Sequence, residues 1–371
     1  MRNVMKAATI EGKLPLLAVE GGCIISKDAD ITVVFRVELP ELFTVTHAEY
    51  EAIHAAWCKA VRVLPDYSVV LKQDWFIREQ YLPATGGEAS FLSRSYERHF
   101  NERPFLNHAC YLYLTKTTKE HTRMQSNFST LCRGHIIPKE INRDTARAFL
   151  EAVDQFERIM NDSGFVHLTR LTDNEITGTA GRPGLIEKYF ALSLDDTTSL
   201  QDMELRADGL RVGDKHVCLH TLSDTDDLPA RVGTDMRYEK LSTDRSDCLL
   251  SFAAPVGLLL SCDHIYNQWL FLDNSAENLQ RFEKQARNMH SLSRYSRSNQ
   301  INKEWLDQYL NEAHSFGLTS IRAHFNVVAW SDDPDELRRI RNDVGSQLAL
   351  MECRPRHNTV DAATLYWAAM P

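Results

Sequence analysis

The sequence predicts an α+β fold in two lobes, each a mixed sheet with packed helices, and three observations carry that expectation. Runs of period-2 alternation mark strands with one buried face, the clearest being Ile31, Val33, Phe35, Val37 and Leu39. Longer runs at helical spacing, opened and closed by capping residues, fall between and after the strands. The chain has 371 residues, more than the roughly 250 to 300 at which a single hydrophobic core stops growing. The expected lobes are 1–163 and 164–371.

The elements follow in order. Pro40 closes the first strand, since proline cannot donate to a ladder. Thr46 and Glu49 form a capping box, after which Ile53, Trp57, Ala60, Val61 and Leu64 recur at helical spacing up to the turn at Pro65-Asp66. Tyr67 to Tyr81 reads as extended, Gly86-Gly87 as a break, and Phe91 to Phe100 as a short helix. Beyond Pro104, Cys110, Leu112 and Leu114 alternate with Tyr111 and Tyr113 as another strand. Ala146, Phe149, Leu150, Val153, Phe156 and Met160 mark a long amphipathic helix that starts at Asn142, with Gly164 as its left-handed stop.

In the second lobe, strands are expected at Val212 to Leu222, Cys248 to Ala253 and Leu258 to Leu272. Asn274 and Glu277 cap a helix carrying Leu279, Phe282, Ala286 and Met289, and a second helix runs from about Asn302 to Gly317. A strand from Thr319 to Trp330 follows. Asp333, Pro334 and Glu336 then open a helix to about Leu350. With Leu365 to Met370 read as a last apolar strand, the order from Leu258 onward suggests a split βαβ, ferredoxin-like unit. No internal repeat is visible, and the abrupt apolar ending suggests that the natural chain continues past Pro371.

Composition narrows the function classes. Hydrophobic residues make up 43% and charged residues 25%, enough apolar surface for packed globular cores. A net charge of -9, with 51 acidic against 42 basic side chains, repels a phosphate backbone and disfavours general DNA binding. The eight cysteines stand singly, without a disulfide framework or a Cys-x-x-Cys pair, so reduced thiols in a cytosolic compartment are the simplest reading. The start lacks the layout of a secretory signal. The longest apolar stretch, Phe252 to Leu260, is far short of the roughly 20 residues that cross a bilayer. Membrane association is therefore expected through partners or a surface.

Several catalytic patterns are missing. The only Gly-Lys pair, Gly12-Lys13, is followed by Leu14 and has no upstream glycine, so no P-loop can cradle a triphosphate. Gly178, Gly181 and Gly184 have the wrong spacing for a dinucleotide fingerprint and read as a flexible loop. There is no Gly-x-Ser-x-Gly elbow and no His-Glu-x-x-His helix.

Three patterns remain open. Cys218 with His220, and Cys262 with His264, each place two ligand types on one face of a strand, and adjacent strands would assemble a Cys2His2 zinc site. A metal-dependent hydrolase is the function this would imply; the ordinary alternative is small core cysteines beside hydrogen-bonded histidines. His108 with Cys110 is a reversed third case. Arg94, Arg98 and Arg103 around Tyr96 and Phe100, and Arg294 with Arg297 around Tyr295, suit stacking and pairing with single-stranded DNA. The more ordinary reading makes the same arginines solvated helix-end charges or ion-pair partners of the plentiful acids. The acidic run Asp224 to Asp227 reads as a cation site or a solvated turn.

Taken together, several segments resemble the start of the TraG family of conjugative-transposon ATPases. Among them are VEGGCIISKDADITVVFRVELPELFTVTHAEYEAIH, VLPDYSVVLKQDWFIREQY, FLSRSYERHFNERPFLNHACYLYLTKTTKE, SAENLQRFEKQARNMHSLSRYSRSNQINKEWLDQYLNEAH and WSDDPDELRRIRNDVGSQLALMECRPRHNTVDAATLYWAAMP. The resemblance spans nearly the whole chain. It implies a region similar in role to the N-terminal domain of VirB-class type IV secretion assembly ATPases, non-catalytic by itself and without a cofactor. ATP and Mg would bind in a following RecA-like domain. The whole protein would be a hexameric cytoplasmic motor at the inner membrane. Its N-terminal part would dock to inner-membrane channel subunits and neighbouring protomers.

Overall fold

Strand register explains how the two halves of the chain join. The computed structural model describes residues 14–82, 90–119, 142–206, 209–292, 294–318 and 320–370. The break at Gly86-Gly87 lies outside the described residues.

The first half opens with a hairpin, Leu16–Glu20 (β1) and Cys23–Ser26 (β2). Gly21 and Gly22 turn it at positive φ, and their amides donate to the Asp173 carboxylate at 3.1 and 2.6 Å. Next come Ile31–Glu38 (β3), His47–Val63 (α1), Ser68–Glu79 (β4), Phe91–Asn101 (α2), Phe105–Lys116 (β5), Arg143–Asp162 (α3) and His167–Arg170 (β6). The capping box of Thr46 and Glu49 forms at the start of α1. Asn142 caps α3, which buries Phe149, Val153, Phe156 and Met160 as their spacing predicts, and Gly164 follows at φ 75°. β5 is antiparallel to both β3 and β4, so those two strands, which α1 connects, run parallel on either side of it. β6 returns to the outer edge of β3. This is a split βαβ, ferredoxin-like unit with α1 and α3 on one face.

A connector follows, made of Asp173–Thr177 (α4), the short strands Gly178–Thr179 (β7) and Arg182–Pro183 (β8), and Leu185–Ala191 (α5). The second half then repeats the path. A hairpin of Met203–Arg206 (β9) and Gly209–Val212 (β10) leads into Lys215–Leu222 (β11). Met236–Arg237 (β12) and Leu249–Leu250 (β13) form a separate small ladder. Ala254–Leu258 (α6), Asp263–Leu272 (β14), Ser275–Leu292 (α7), Arg297–Phe316 (α8), Arg322–Ser331 (β15), Pro334–Leu350 (α9), Arg356–Asn358 (β16) and Ala362–Ala368 (α10) complete it.

The order β16-β11-β15-β14 reproduces β6-β3-β5-β4. β2 and β6 share the outer edge of β3, and β10 and β16 share that of β11 in the same way. The fold thus contains a repeat that residue identities hide, because burial pattern rather than identity specifies each strand.

The halves meet where β4 pairs with β14, making one twelve-stranded sheet. In that pair Leu71 faces Trp269, Gln73 faces Asn267 and Trp75 faces Ile265. Each strand reads apolar residue, amide, tryptophan at alternate positions, so an approximate two-fold axis passes between Gln73 and Asn267. One sheet face carries a core common to both halves, including Trp75, Trp269, Tyr113, Tyr189 and Tyr366. The other carries two cores, one under α1 and α3 and one under α6 and α9. The expected boundary at 163/164 falls in the turn after α3, before β6 rejoins the first unit.

Five expectations are corrected. Every pairing in the sheet is antiparallel rather than mixed, because each split βαβ inserts a strand between its parallel members. Leu365 to Met370 is not a strand: Ala362, Ala363, Leu365 and Ala368 are strong helix formers, and the segment forms α10. The second unit therefore begins at β11, not at Leu258. The strand expected from Leu258 begins only at Asp263, because α6 runs to Leu258 and an irregular stretch follows it, and the strand expected over Cys248 to Ala253 shrinks to β13.

Candidate functional site

The Cys-x-His pairs do not assemble. β15 lies between β11 and β14, with Cys218 facing Ala329 and Ala329 facing His264. The pairs are therefore two strand spacings apart, about 10 Å, whereas zinc ligands sit roughly 2.0 to 2.3 Å from the ion. Among the described residues, no group of three or more His, Cys, Asp or Glu side chains is placed to hold a metal ion. Burial pushes the Cys218 and Cys262 thiols up to about 12 and the His220 and His264 imidazoles down to about 4. His264 lies 2.8 Å from the Cys262 carbonyl through Nδ1. These four side chains are core residues of the second unit and its seam.

The strongest polar constellation occupies that seam, on the face where the two helical layers part. Asp74 on β4 is buried and meets Lys72, the His108 Nε2 at 3.0 Å and the Gln268 Nε2 at 3.1 Å. Burial alone would raise the Asp74 carboxyl, but the Lys72 ammonium and the His108 imidazole outweigh it and hold it below the usual carboxylate range. Burial and the Asp74 charge push the neighbouring Cys110 thiol well up. Phe76 is stacked between His108 and His264, with ring centroids 4.6 and 4.7 Å away. Gly257 of α6 permits this close approach, since a Cβ there would lie 2.9 Å from the Phe76 ring. The arrangement keeps one carboxylate ionised and one thiol protonated while bridging β5, β4 and β14. Its signal in the sequence was Lys72, Gln73 and Asp74 interrupting an otherwise apolar strand.

The two arginine segments are separated. Arg94 and Arg98 lie on α2, with Arg103 just beyond, while Arg294 and Arg297 lie at the tip joining α7 to α8. Both insertions connect the second strand of a unit to its third, and β4 and β14 are antiparallel, so they leave opposite ends of the seam. A ten-residue strand spans roughly 30 Å, which rules out one groove built from both. Arg98 pairs with Glu102 at 2.6 Å, and Arg103 lies 2.7 Å from His99. In the acidic run, Asp224 and Asp227 both pair with Arg356, and Asp227 also accepts the Ser223 and Asp224 amides.

A cleft of about 360 Å³ opens on the shared-core face, lined by Arg36, Tyr111, Glu175, Arg182 and Lys188 among others. Its rim is the glycine segment expected as a flexible loop, where Gly178–Thr179 and Arg182–Pro183 form a short antiparallel ladder. Gly178 sits at φ 85°, and a Cβ on Gly184 would come within 2.2 Å of the Gly178 nitrogen, so the two glycine backbones pack in contact. Arg36 pairs with Glu175, and both Arg182 and Lys188 pair with Asp196.

Fold and sites together define an α+β protein of two ferredoxin-like units sharing one sheet, each with a helical insertion between its second and third strands. Residues 3–55 match a family model described as "Domain of unknown function, B. Theta Gene description" (DUF3875). No curated protein matches the chain. Among the described residues, no helix is long and apolar enough to cross a membrane.

Proposed function

We propose that this chain is the N-terminal docking and assembly region of a TraG-family conjugative DNA-transfer ATPase, non-catalytic by itself. It binds inner-membrane channel subunits of a type IV secretion system and neighbouring protomers of its own hexamer. ATP and Mg belong to the RecA-like domain of the full protein, on the cytoplasmic side. Beyond the sequence resemblance, one observation supports the reading. Both helical insertions leave large apolar side chains in solvent: Phe91 and Leu92 on α2 are 73% and 77% exposed, and Trp305 on α8 is 68% exposed. Exposed apolar side chains of this kind mark interaction surfaces rather than cores.

Competition in cells tests it. Produced in a donor strain that carries the matching conjugative element, the chain is expected to lower DNA transfer by occupying the channel subunits, and F91D/L92D to relieve the block. Unchanged transfer, or ATP turnover by the purified chain at the rate of its relatives, contradicts the reading.

A further inference from the structure

The end of the arm formed by α7 and α8 differs in charge from the rest of the molecule. The chain carries a net charge of -9, yet between Lys284 and Lys303 every ionised side chain is basic: Lys284, Arg287, Arg294, Arg297 and Lys303. Among the described residues, Arg287, Arg294 and Arg297 have no carboxylate partner, and Lys303 meets only Asp307, at 3.8 Å. The same tip exposes Leu292, Tyr295, Ile301 and Trp305. Arg297, Ile301 and Trp305 recur every fourth residue and so lie along one side of α8. The two helices brace one another, with Phe282 edge-on to Tyr309 at 5.4 Å. At 18 residues, α7 is roughly 27 Å long. That length exceeds the Debye length of about 8 Å, so acids at the base of the arm are screened from the tip, and the nearest carboxylates along the chain, Glu283 and Glu304, lie outside the basic stretch.

We infer that the tip of this arm binds the surface of an anionic phospholipid bilayer. Arg287, Arg294 and Arg297 meet lipid phosphates, and Leu292 and Tyr295 enter the interface. Basic and apolar side chains side by side on a convex end suit a headgroup layer, where arginine stems lie along apolar surface and their charges reach phosphate. Single-stranded nucleic acid instead calls for a groove with successive stacking rings. The tip is a projection, and Leu292 and Ile301 carry no ring on which a base could stack. The inference goes beyond the docking function, which reaches the membrane through protein partners.

Sedimentation of the 371-residue chain with protein-free vesicles tests it without any channel subunit. Binding is expected to vesicles containing phosphatidylglycerol but not to phosphatidylcholine alone, and to weaken in high salt. R294E/R297E is expected to reduce it at least about tenfold, and L292D to reduce it as well. R147E/R338E, the same charge change at exposed sites on α3 and α9, is expected to preserve it, and matched thermal unfolding shows that each variant folds. No binding to phosphatidylglycerol vesicles overturns the inference, as does equal loss in the control. Capture of oligo-dT in place of vesicles, abolished by R294E/R297E, overturns it in favour of nucleic acid.

Discussion

Tyr189 and Tyr366 hold each other by the same bond made in both directions. The Tyr189 hydroxyl donates to the Tyr366 carbonyl at 2.5 Å, the Tyr366 hydroxyl donates to the Tyr189 carbonyl at 2.9 Å, and the rings stack 4.9 Å apart. α5 follows the first unit as α10 follows the second, so this reciprocal clasp obeys the same two-fold relation as the Gln73 and Asn267 pair.

Y189F and Y366F are expected to cost similar amounts. Each carbonyl keeps a backbone donor, Leu192 or Ala369, so neither acceptor is orphaned and each loss should be about 1 kcal/mol. Urea unfolding midpoints measure this. A large loss from only one of the two variants contradicts the symmetric reading.

Asp74 is the residue whose removal should weaken the seam most. D74N leaves the partly buried Lys72 ammonium without its carboxylate, and breaking a buried pair in this way costs about 3 kcal/mol or more. K72M/D74L removes both charges and is expected to recover most of that stability. Chemical denaturation of the two variants beside the parent checks both statements.

Two glycines predict effects of opposite sign. Gly184→Ala drives a methyl group into the Gly178 and Ile176 backbone and should destabilise by at least about 1 to 3 kcal/mol. Gly345 lies inside α9 with nothing within 4 Å of a Cβ, so Gly345→Ala should stabilise by about 1 kcal/mol through helix propensity. Thermal unfolding of each variant reads the sign directly.

Acid should weaken the fold over a defined window. His264 and His220 have pKa values of about 4 because they are buried, whereas an unfolded histidine titrates near 6.5 or so. Between those values the unfolded chain binds protons that the folded chain does not, so stability falls as pH drops from about 6.5 to about 4. Each histidine contributes at most roughly 3 kcal/mol to that fall. The Asp74 carboxyl, held low by its partners, acts in the same direction: its contribution is lost as pH falls. H264F retains a ring against Phe76 and is expected to flatten the decline measured by urea unfolding at several pH values.

The elements that announced themselves in the sequence were those set by local chemistry. The Thr46 and Glu49 box, the α3 spacing with its Gly164 stop and the Asp333 start of α9 each need only neighbouring residues. What remained hidden depends on pairing between distant strands. Nothing near Cys218 or His264 indicates that β15 lies between them. Nothing in the Lys72-Gln73-Asp74 run names Asn267 and Gln268 as its neighbours across the seam. The repeat was equally hidden, since Leu71-x-Gln73-x-Trp75 and Ile265-x-Asn267-x-Trp269 match in burial and shape but share few identities. The last helix was misread because an apolar run of that length fits either state, and the contact of Tyr366 and Trp367 with α5 decides between them.

Direct binding to the inner-membrane channel subunits of a type IV secretion system tests the proposed docking function most plainly. With purified components in detergent, the account predicts a saturable complex with the intact chain that F91D/L92D weakens. Failure of the chain to bind any channel subunit, while the ATPase domain of the full protein binds on its own, would contradict it.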